Sequence, residues 1–274
     1  RSTVPVTLRD GDLTLRIPVE TVSLSRLDRI DGTIVVAAKS HANETLAEAL
    51  QGKAANGSIV LVQNGVGVEK PFLARQLRPL YRCVVYFTSQ ATAEHDFVVR
   101  PVASSPVGLV DGSEAGLREC VERLATDGFP FHAEPDIRPA VWKKAIANVV
   151  FNSLCPLLEV DNGIFIRDEE AAGLAAEVVR ECTALTDRLR IDLDEHAVLE
   201  QVMLISRMSD GQLISTLQDL RAGKETEIEF LNLEMARTAA ALQPPLHLPR
   251  VEMLGRMIRA KSMLSAPHAA YLQG

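Results

Sequence analysis

Short β-branched runs mark the first half of the chain, and helical spacing marks the second. Gly32-Thr-Ile-Val-Val-Ala-Ala38, Ser58-Ile-Val-Leu-Val62, Cys83-Val-Val-Tyr-Phe-Thr88, Phe97-Val-Val99 and Val107-Gly-Leu-Val110 have the length and residue types of strands bounded by turn formers. Between the first two, His41 to Lys53 sets Leu46, Ala49 and Leu50 at a helical spacing. A strand, a helix and a strand with near-continuous apolar strands predict a buried parallel sheet. Asp10-Gly11, flanked by Val6, Leu8, Leu13 and Leu15, predicts a hairpin turn. Leu117, Val121 and Leu124 mark one more helix, and Phe129-Pro-Phe-His-Ala133 a last edge strand.

From about Pro139 onward the strand signal disappears. Ala171, Leu174, Val178, Cys182, Leu185 and Leu189 step by three and four, which predicts an amphipathic helix. His196 to Met208 and Pro249 to Met263 read the same way, with Pro249 in a first turn where its missing N–H costs nothing. Thr226-Glu-Ile-Glu229 has the form of a capping box and predicts a further helix start. The expected organisation is an α/β domain over residues 1–136 and a helical domain over 137–274, punctuated by Pro135 and Pro139.

Composition narrows the function classes. The net charge of −7 over 274 residues disfavours a nucleic-acid partner, which calls for a basic excess. No apolar run reaches the length of a membrane span. Arg1 to Arg9 lack the apolar stretch of a signal peptide, so the expected location is the cytoplasm. Cys83, Cys120, Cys155 and Cys182 form neither a CxxC nor a Cys/His spacing; they read as small buried hydrophobes, and no metal site is expected. Trp142, Met203, Met208, Met253 and Met257 read as core, and the six histidines carry no assigned role.

Two loops fall where open parallel sheets bind ligands, beyond the carboxyl ends of strands. One is Lys39-Ser40-His41, the other Gln63-Asn64-Gly65-Val66-Gly67. A lysine and an amide there suit a phosphate and a polar ring; the competing reading is that the glycines are simply turn residues at positive φ. The densest constellation is Val141 to Pro156, where Lys144, Asn148 and Asn152 stand four apart on one face of an otherwise apolar helix. Such a stripe needs a polar network or a wet cleft. Ser215 with Gln218, and Glu227 near a helix start, suit capping on their own.

These pieces together resemble the ketopantoate reductase (2-dehydropantoate 2-reductase) family of the 6-phosphogluconate-dehydrogenase-like superfamily. The resemblance rests on Lys39, Gln63 to Gly67, Trp142-Lys-Lys144 through Asn148 to Asn152, Asn162-Gly163, Ser215-Thr-Leu-Gln-Asp219 and Thr226 to Glu229, in the family's order and at about its spacing. It implies a Rossmann-like domain followed by a helical one, and NADPH-dependent reduction of a 2-keto acid. Lys144 matches the catalytic lysine that protonates the carbonyl oxygen as hydride reaches carbon, an alkoxide being both stabilised and protonated by an ammonium. Glu227 matches an acidic residue that helps position substrate. Ser215 matches a carboxylate contact, Asn148 and Asn152 match hydroxyl contacts, and Asn162 is a further candidate for a substrate contact. Arg1, Lys39 and Asn64 match cofactor contacts, Arg1 toward the 2′-phosphate of NADP. The superfamily implies a homodimer through the helical domain.

The chain departs from the family pattern at three places. It has no Gly-x-Gly-x-x-Gly turn, the pyrophosphate cradle of a unit of about thirty residues that opens the family. The expectation is that such a segment precedes Arg1. Ile214 stands where the family often has serine, and Leu233 follows Asn232 where glycine is usual. The resemblance also implies a short helix near Val4 to Leu8, where the residue pattern gives a hairpin. Three readings follow: a ketopantoate reductase, a paralogue acting on another 2-keto acid or ketone, and a non-catalytic binding protein.

Overall fold

The computed structural model describes residues 1–54 and 57–265. It divides into two units, Arg1–Gln63 with Glu69–Ile137, and Asn64–Val68 with Arg138 onward. A single boundary drawn near residue 136 does not anticipate that the loop Asn64–Val68 belongs with the helical unit.

In the first unit the elements are β1 (Ser2–Asp10), β2 (Leu13–Thr21), β3 (Ile34–Val36), α1 (Asn43–Leu50), β4 (Ile59–Leu61), α2 (Lys70–Ala74), β5 (Leu80–Cys83), β6 (Phe87–Ala93), β7 (Asp96–Pro101), β8 (Ser105–Asp111), α3 (Glu114–Leu124) and β9 (Phe131–Glu134). They form a five-stranded sheet in the order β3-β4-β5-β8-β9 and a four-stranded sheet in the order β2-β1-β7-β6. β3, β4 and β5 are parallel, joined through α1 and α2. Their apolar residues are buried most completely on β4 and β5, where Ile59, Val60, Leu61, Leu80 and Tyr81 are 0–1% exposed. Val60, Tyr81 and Cys83 pack with Val107, Leu117 and Cys120. Ser113 caps α3, its Oγ accepting the Gly116 N–H at 3.1 Å.

β3, β4 and β5 form the expected parallel sheet, and β8 joins it running antiparallel to β5. The β6–β7 hairpin, not a helical crossover, connects them, and a hairpin returns the chain without restoring its direction. The run Cys83 to Thr88 is correspondingly two strands. Val84 N–H donates to Pro106 O and Tyr86 N–H to Ser105 Oγ, and between β5 and β6 the chain leaves one sheet for the other. The hairpin at Asp10-Gly11 is present, with Asp10 opposite Leu13 and Gly11 at φ 54°, so the short helix implied near Val4 to Leu8 is overturned. β9 is the edge strand expected from the Phe129 to Ala133 pattern.

The second unit holds α4 (Arg138–Leu158), α5 (Ile164–Arg167), α6 (Glu169–Arg188), α7 (Glu195–Met208), α8 (Ser215–Arg221), α9 (Asn232–Ala240) and α10 (Pro249–Ser265). α4 runs through the core, with every residue from Val149 to Pro156 buried. Val149, Val150 and Phe151 belong to one buried apolar cluster with Ala175, Val178, Cys182 and Leu185 of α6, Val198 and Val202 of α7, and Met235 of α9. Asp168 and Asp194 cap α6 and α7 by accepting the N–H groups of Ala171 and Ala197, each at 2.8 Å. Pro249 is the first residue of α10, as its chemistry requires.

Two expectations fail here. Thr226 to Glu229 is no capping box: a 3-10 turn over Ile228–Phe230 follows Glu227 without a side-chain cap, and α9 starts only at Asn232. Met208, Met253 and Met257 are 47–64% exposed, while Met203 and Trp142 pack against the core. The four cysteines are free and buried, and burial pushes the Cys120 and Cys155 thiols up to about 11 and about 12.

Candidate functional site

The Lys144 stripe arises because α4 is long enough to stack residues four apart. Lys144 and Asn148 are half-buried, and Asn152 is buried. A buried amide in an apolar helix requires partners, and Asn152 has them. Its Oδ1 accepts Thr216 Oγ1 at 2.7 Å, and Thr216 N and Ser215 Oγ at 3.3 Å each. Its Nδ2 donates to Asn148 O at 3.0 Å. Ser215 is therefore the first helical residue of α8, not its cap; the preceding Ile214 offers no side-chain acceptor, and Asn152 supplies one from α4. Gln218 reaches back to Leu213 O at 2.7 Å.

A small polar pocket opens at this junction. Asn64, Asn148, Asn152, Ser215 and Glu227 line it, together with Ile214, Thr216, Asp219 and Leu231. Five of the sequence-predicted residues are thus brought together. Asn64 arrives on the loop that joins the helical unit, where Val66 N–H donates to Phe230 O at 3.1 Å. Gly65 and Gly67 take φ 93° and 72°, as their turn-former reading requires. Thr216 and Asp219 were not assigned roles from the sequence. Their signal was present: Thr216 adjoins Ser215, and Asp219 stands four residues after it on the same helical face.

Lys144 and Asn162 are not among the residues lining this pocket. Lys144 lies one helical turn before Asn148. Asn162 is buried, its backbone held by Gln212 O at 2.9 Å and Ser206 Oγ at 2.7 Å, and its Oδ1 has no hydrogen-bond partner among the described residues. The segment around it is clamped by Asp161. That carboxylate accepts Gly163 N at 2.8 Å, Gly211 N at 3.1 Å and Arg167 Nη2 at 2.8 Å, while Arg167 also meets Asp210. The Arg167 guanidinium and these amides hold the Asp161 carboxyl well below the usual carboxylate range, at about 2. A folded-state value below the unfolded one near 3.9 stabilises the fold above that unfolded value, and the benefit is lost as pH falls through the folded one. Asp161→Asn is therefore expected to lower the melting temperature at neutral pH, with the gap to the natural protein closing between about pH 4 and pH 2. Thermal unfolding across pH checks this; a gap independent of pH would refute it.

In the first unit, Lys39 follows β3, is half-buried and precedes a 3-10 turn at Ser40–Ala42. The loops beyond β3 and β4 are fixed by a buried amide pair. Asn43 Nδ2 donates to Gln63 Oε1 at 3.0 Å, and Gln63 Nε2 donates to Asn43 Oδ1 and to Ala38 O, both at 2.6 Å. Arg82 Nη1 donates to Gln63 O at 2.9 Å. A cation on a fixed loop beyond parallel strands fits the phosphate-bearing part of a dinucleotide. Arg1 stands at the start of the hairpin, 3.9 Å from Glu20, with both side chains more than 70% exposed. Among the described residues there is no group of His, Cys, Asp or Glu able to hold a metal ion, and no helix is long and apolar enough to cross a membrane.

Residues 136–262 match the family model described as the ketopantoate reductase PanE/ApbA C terminal. The chain is 30% identical over 198 residues to a 2-dehydropantoate 2-reductase of Archaeoglobus fulgidus, covering 72% of this chain and 66% of that one. It is 26% identical over 236 residues to the enzyme of that name from Pyrococcus horikoshii, covering 84% and 76%. The chain thus spans just under two thirds of the Archaeoglobus relative. Its fold is shared by a PanE/ApbA family ketopantoate reductase from Ralstonia eutropha, with 22% identity, a TM-score of 0.83, and coverage of 95% and 85%. It is shared too by a D-mandelate dehydrogenase solved with NADH and anilino(oxo)acetate, with 19% identity, a TM-score of 0.82, and coverage of 95% and 85%. A dimeric ketopantoate reductase from Staphylococcus aureus aligns at 18% identity with a TM-score of 0.80, over 97% and 90%.

Proposed function

The chain belongs to the ketopantoate reductase family, and from that premise we propose that it reduces 2-dehydropantoate to pantoate with NADPH, a step of pantothenate synthesis. The observation that carries the reading is the polar pocket that gathers Asn64, Asn148, Asn152, Ser215 and Glu227. Lys144 is the general acid: its Nζ holds the proton that passes to the substrate carbonyl oxygen as negative charge builds there. Glu227 and Asp219 are acceptors for substrate hydroxyls, and their charge turns the substrate carboxylate away from them, toward Ser215. Asn148, Asn152 and Asn162 complete the substrate contacts. A reduced nicotinamide, when bound, supplies the hydride. Arg1, Lys39 and Asn64 are the residues proposed to hold the cofactor, with Lys39 on its phosphates. The same reading takes the protein as a cytoplasmic homodimer.

A second reading has its own support. Ile214, where the family often has serine, forms an apolar part of the pocket wall, and the D-mandelate dehydrogenase shares the fold. A paralogue acting on a less polar 2-keto acid fits both. The test is the fall of NADPH absorbance on adding 2-dehydropantoate to the natural full-length protein. Turnover is the expected result. NADPH binding with turnover only of other 2-keto acids selects the paralogue, and neither binding nor turnover refutes a reductase.

A further inference from the structure

The orientation of Asn152 follows from atoms whose roles are fixed. The Thr216 N–H, 3.3 Å away, can only donate, so the atom facing it is the carboxamide oxygen. The Asn148 carbonyl, 3.0 Å away, can only accept, so the atom facing it is Nδ2. Thr216 Oγ1 at 2.7 Å and Ser215 Oγ at 3.3 Å also donate to that oxygen. An amide oxygen has two lone pairs, and three donors from α8 converge on it. The nitrogen has two hydrogens, and Asn148 takes one. What Asn152 has left for an occupant of the pocket is an N–H. Thr216 is 2% exposed and provides two of the three donors, including the shortest.

We propose that Thr216 is a positioning residue that locks Asn152 as a hydrogen-bond donor toward an oxygen acceptor of the substrate. The identity of that substrate rests on the reductase reading. The lock itself is a matter of two side chains. Without the hydroxyl, the Asn152 oxygen keeps only the two long contacts, so the amide is held less tightly and its remaining N–H is aimed less well at the acceptor.

The test compares Thr216→Val, which keeps the shape and removes the hydroxyl, with Thr216→Ser, which keeps the hydroxyl. Two readouts are taken on the full-length protein. Steady-state kinetics with 2-dehydropantoate should show KM raised about 3- to 10-fold in Thr216→Val, with a smaller change in kcat, as expected for one lost hydrogen bond. Thr216→Ser should recover most of it. The second readout is the Asn152 side-chain amide resonance, assigned as the pair lost in Asn152→Asp. It should move toward the solvent-exposed amide position in Thr216→Val and stay in place in Thr216→Ser. A KM and a resonance both unchanged in Thr216→Val overturn the lock and leave the reductase reading standing. If the natural protein does not turn over 2-dehydropantoate, the reductase assignment fails by itself. The resonance then still decides the lock, supporting it if shifted and refuting it if not.

Discussion

Lys144→Ala is expected to lower turnover of 2-dehydropantoate by about 10²- to 10⁴-fold, the range that a positioned general acid contributes. The loss should appear in kcat and in kcat/KM together, because the proton is needed where charge develops and not in the ground state. NADPH affinity should change little, since the proposed cofactor contacts are Arg1, Lys39 and Asn64. The fold should survive: the position is half-buried in the first half of α4, and alanine is the best helix former. Stopped-flow and steady-state absorbance, with circular dichroism as the folding control, measure all three. Turnover at the natural rate would sink the lysine mechanism. A protein that neither turns over nor binds NADPH before mutation would return the non-catalytic reading.

The parts of the molecule that the sequence made legible are those in which local chemistry and burial agree. The strand Ile59–Leu61 is buried along its whole length and its apolar run says so directly, whereas in Ile34–Val36 only Val36 is buried and Val35 is exposed. α6, α7 and α10 repeat every three or four residues because one face of each is the core. The antiparallel return of β8 was not legible, because the turn from one sheet to the other at Val84 to Tyr86 lies inside an uninterrupted apolar run. Capping was misread at Ser215 for a related reason. A serine before a short helix looks the same whether it caps that helix or stands inside it, and the actual cap, Asn152, is 63 residues away in sequence. The polar stripe on α4 was legible as a need for partners. Which residues meet that need is a tertiary fact, and Thr216 emerges only from it. The exposed Met253 and Met257 show the opposite limit: α10 buries only a narrow face, represented by Val251, Gly255 and Ile258.

Gly65→Ala is expected to cost the helical unit about 3 kcal/mol or more and to weaken substrate binding with it, the combined result of backbone strain and overpacking. Gly65 sits at φ 93°, a conformation that side chains with a Cβ rarely adopt. A Cβ built there would lie 2.4 Å from the Phe230 carbonyl oxygen and 3.1 Å from its carbonyl carbon. That carbonyl accepts the Val66 N–H at 3.1 Å, so it has no freedom to retreat without breaking the bond that ties the loop to the turn before α9. The loop must move instead, and Asn64, the neighbour of Gly65, lines the pocket. Thermal unfolding should show a drop of at least about 6 °C for a unit of this size, and titration with 2-dehydropantoate should show weaker binding in the fraction that folds. Alanine at position 65 with an unchanged melting temperature and unchanged affinity would mean that the loop does not take this conformation in solution. Asn64 would then lose its place among the residues proposed to act at the pocket, while Lys144, Asn148 and Glu227, carried on α4 and before α9, would keep theirs.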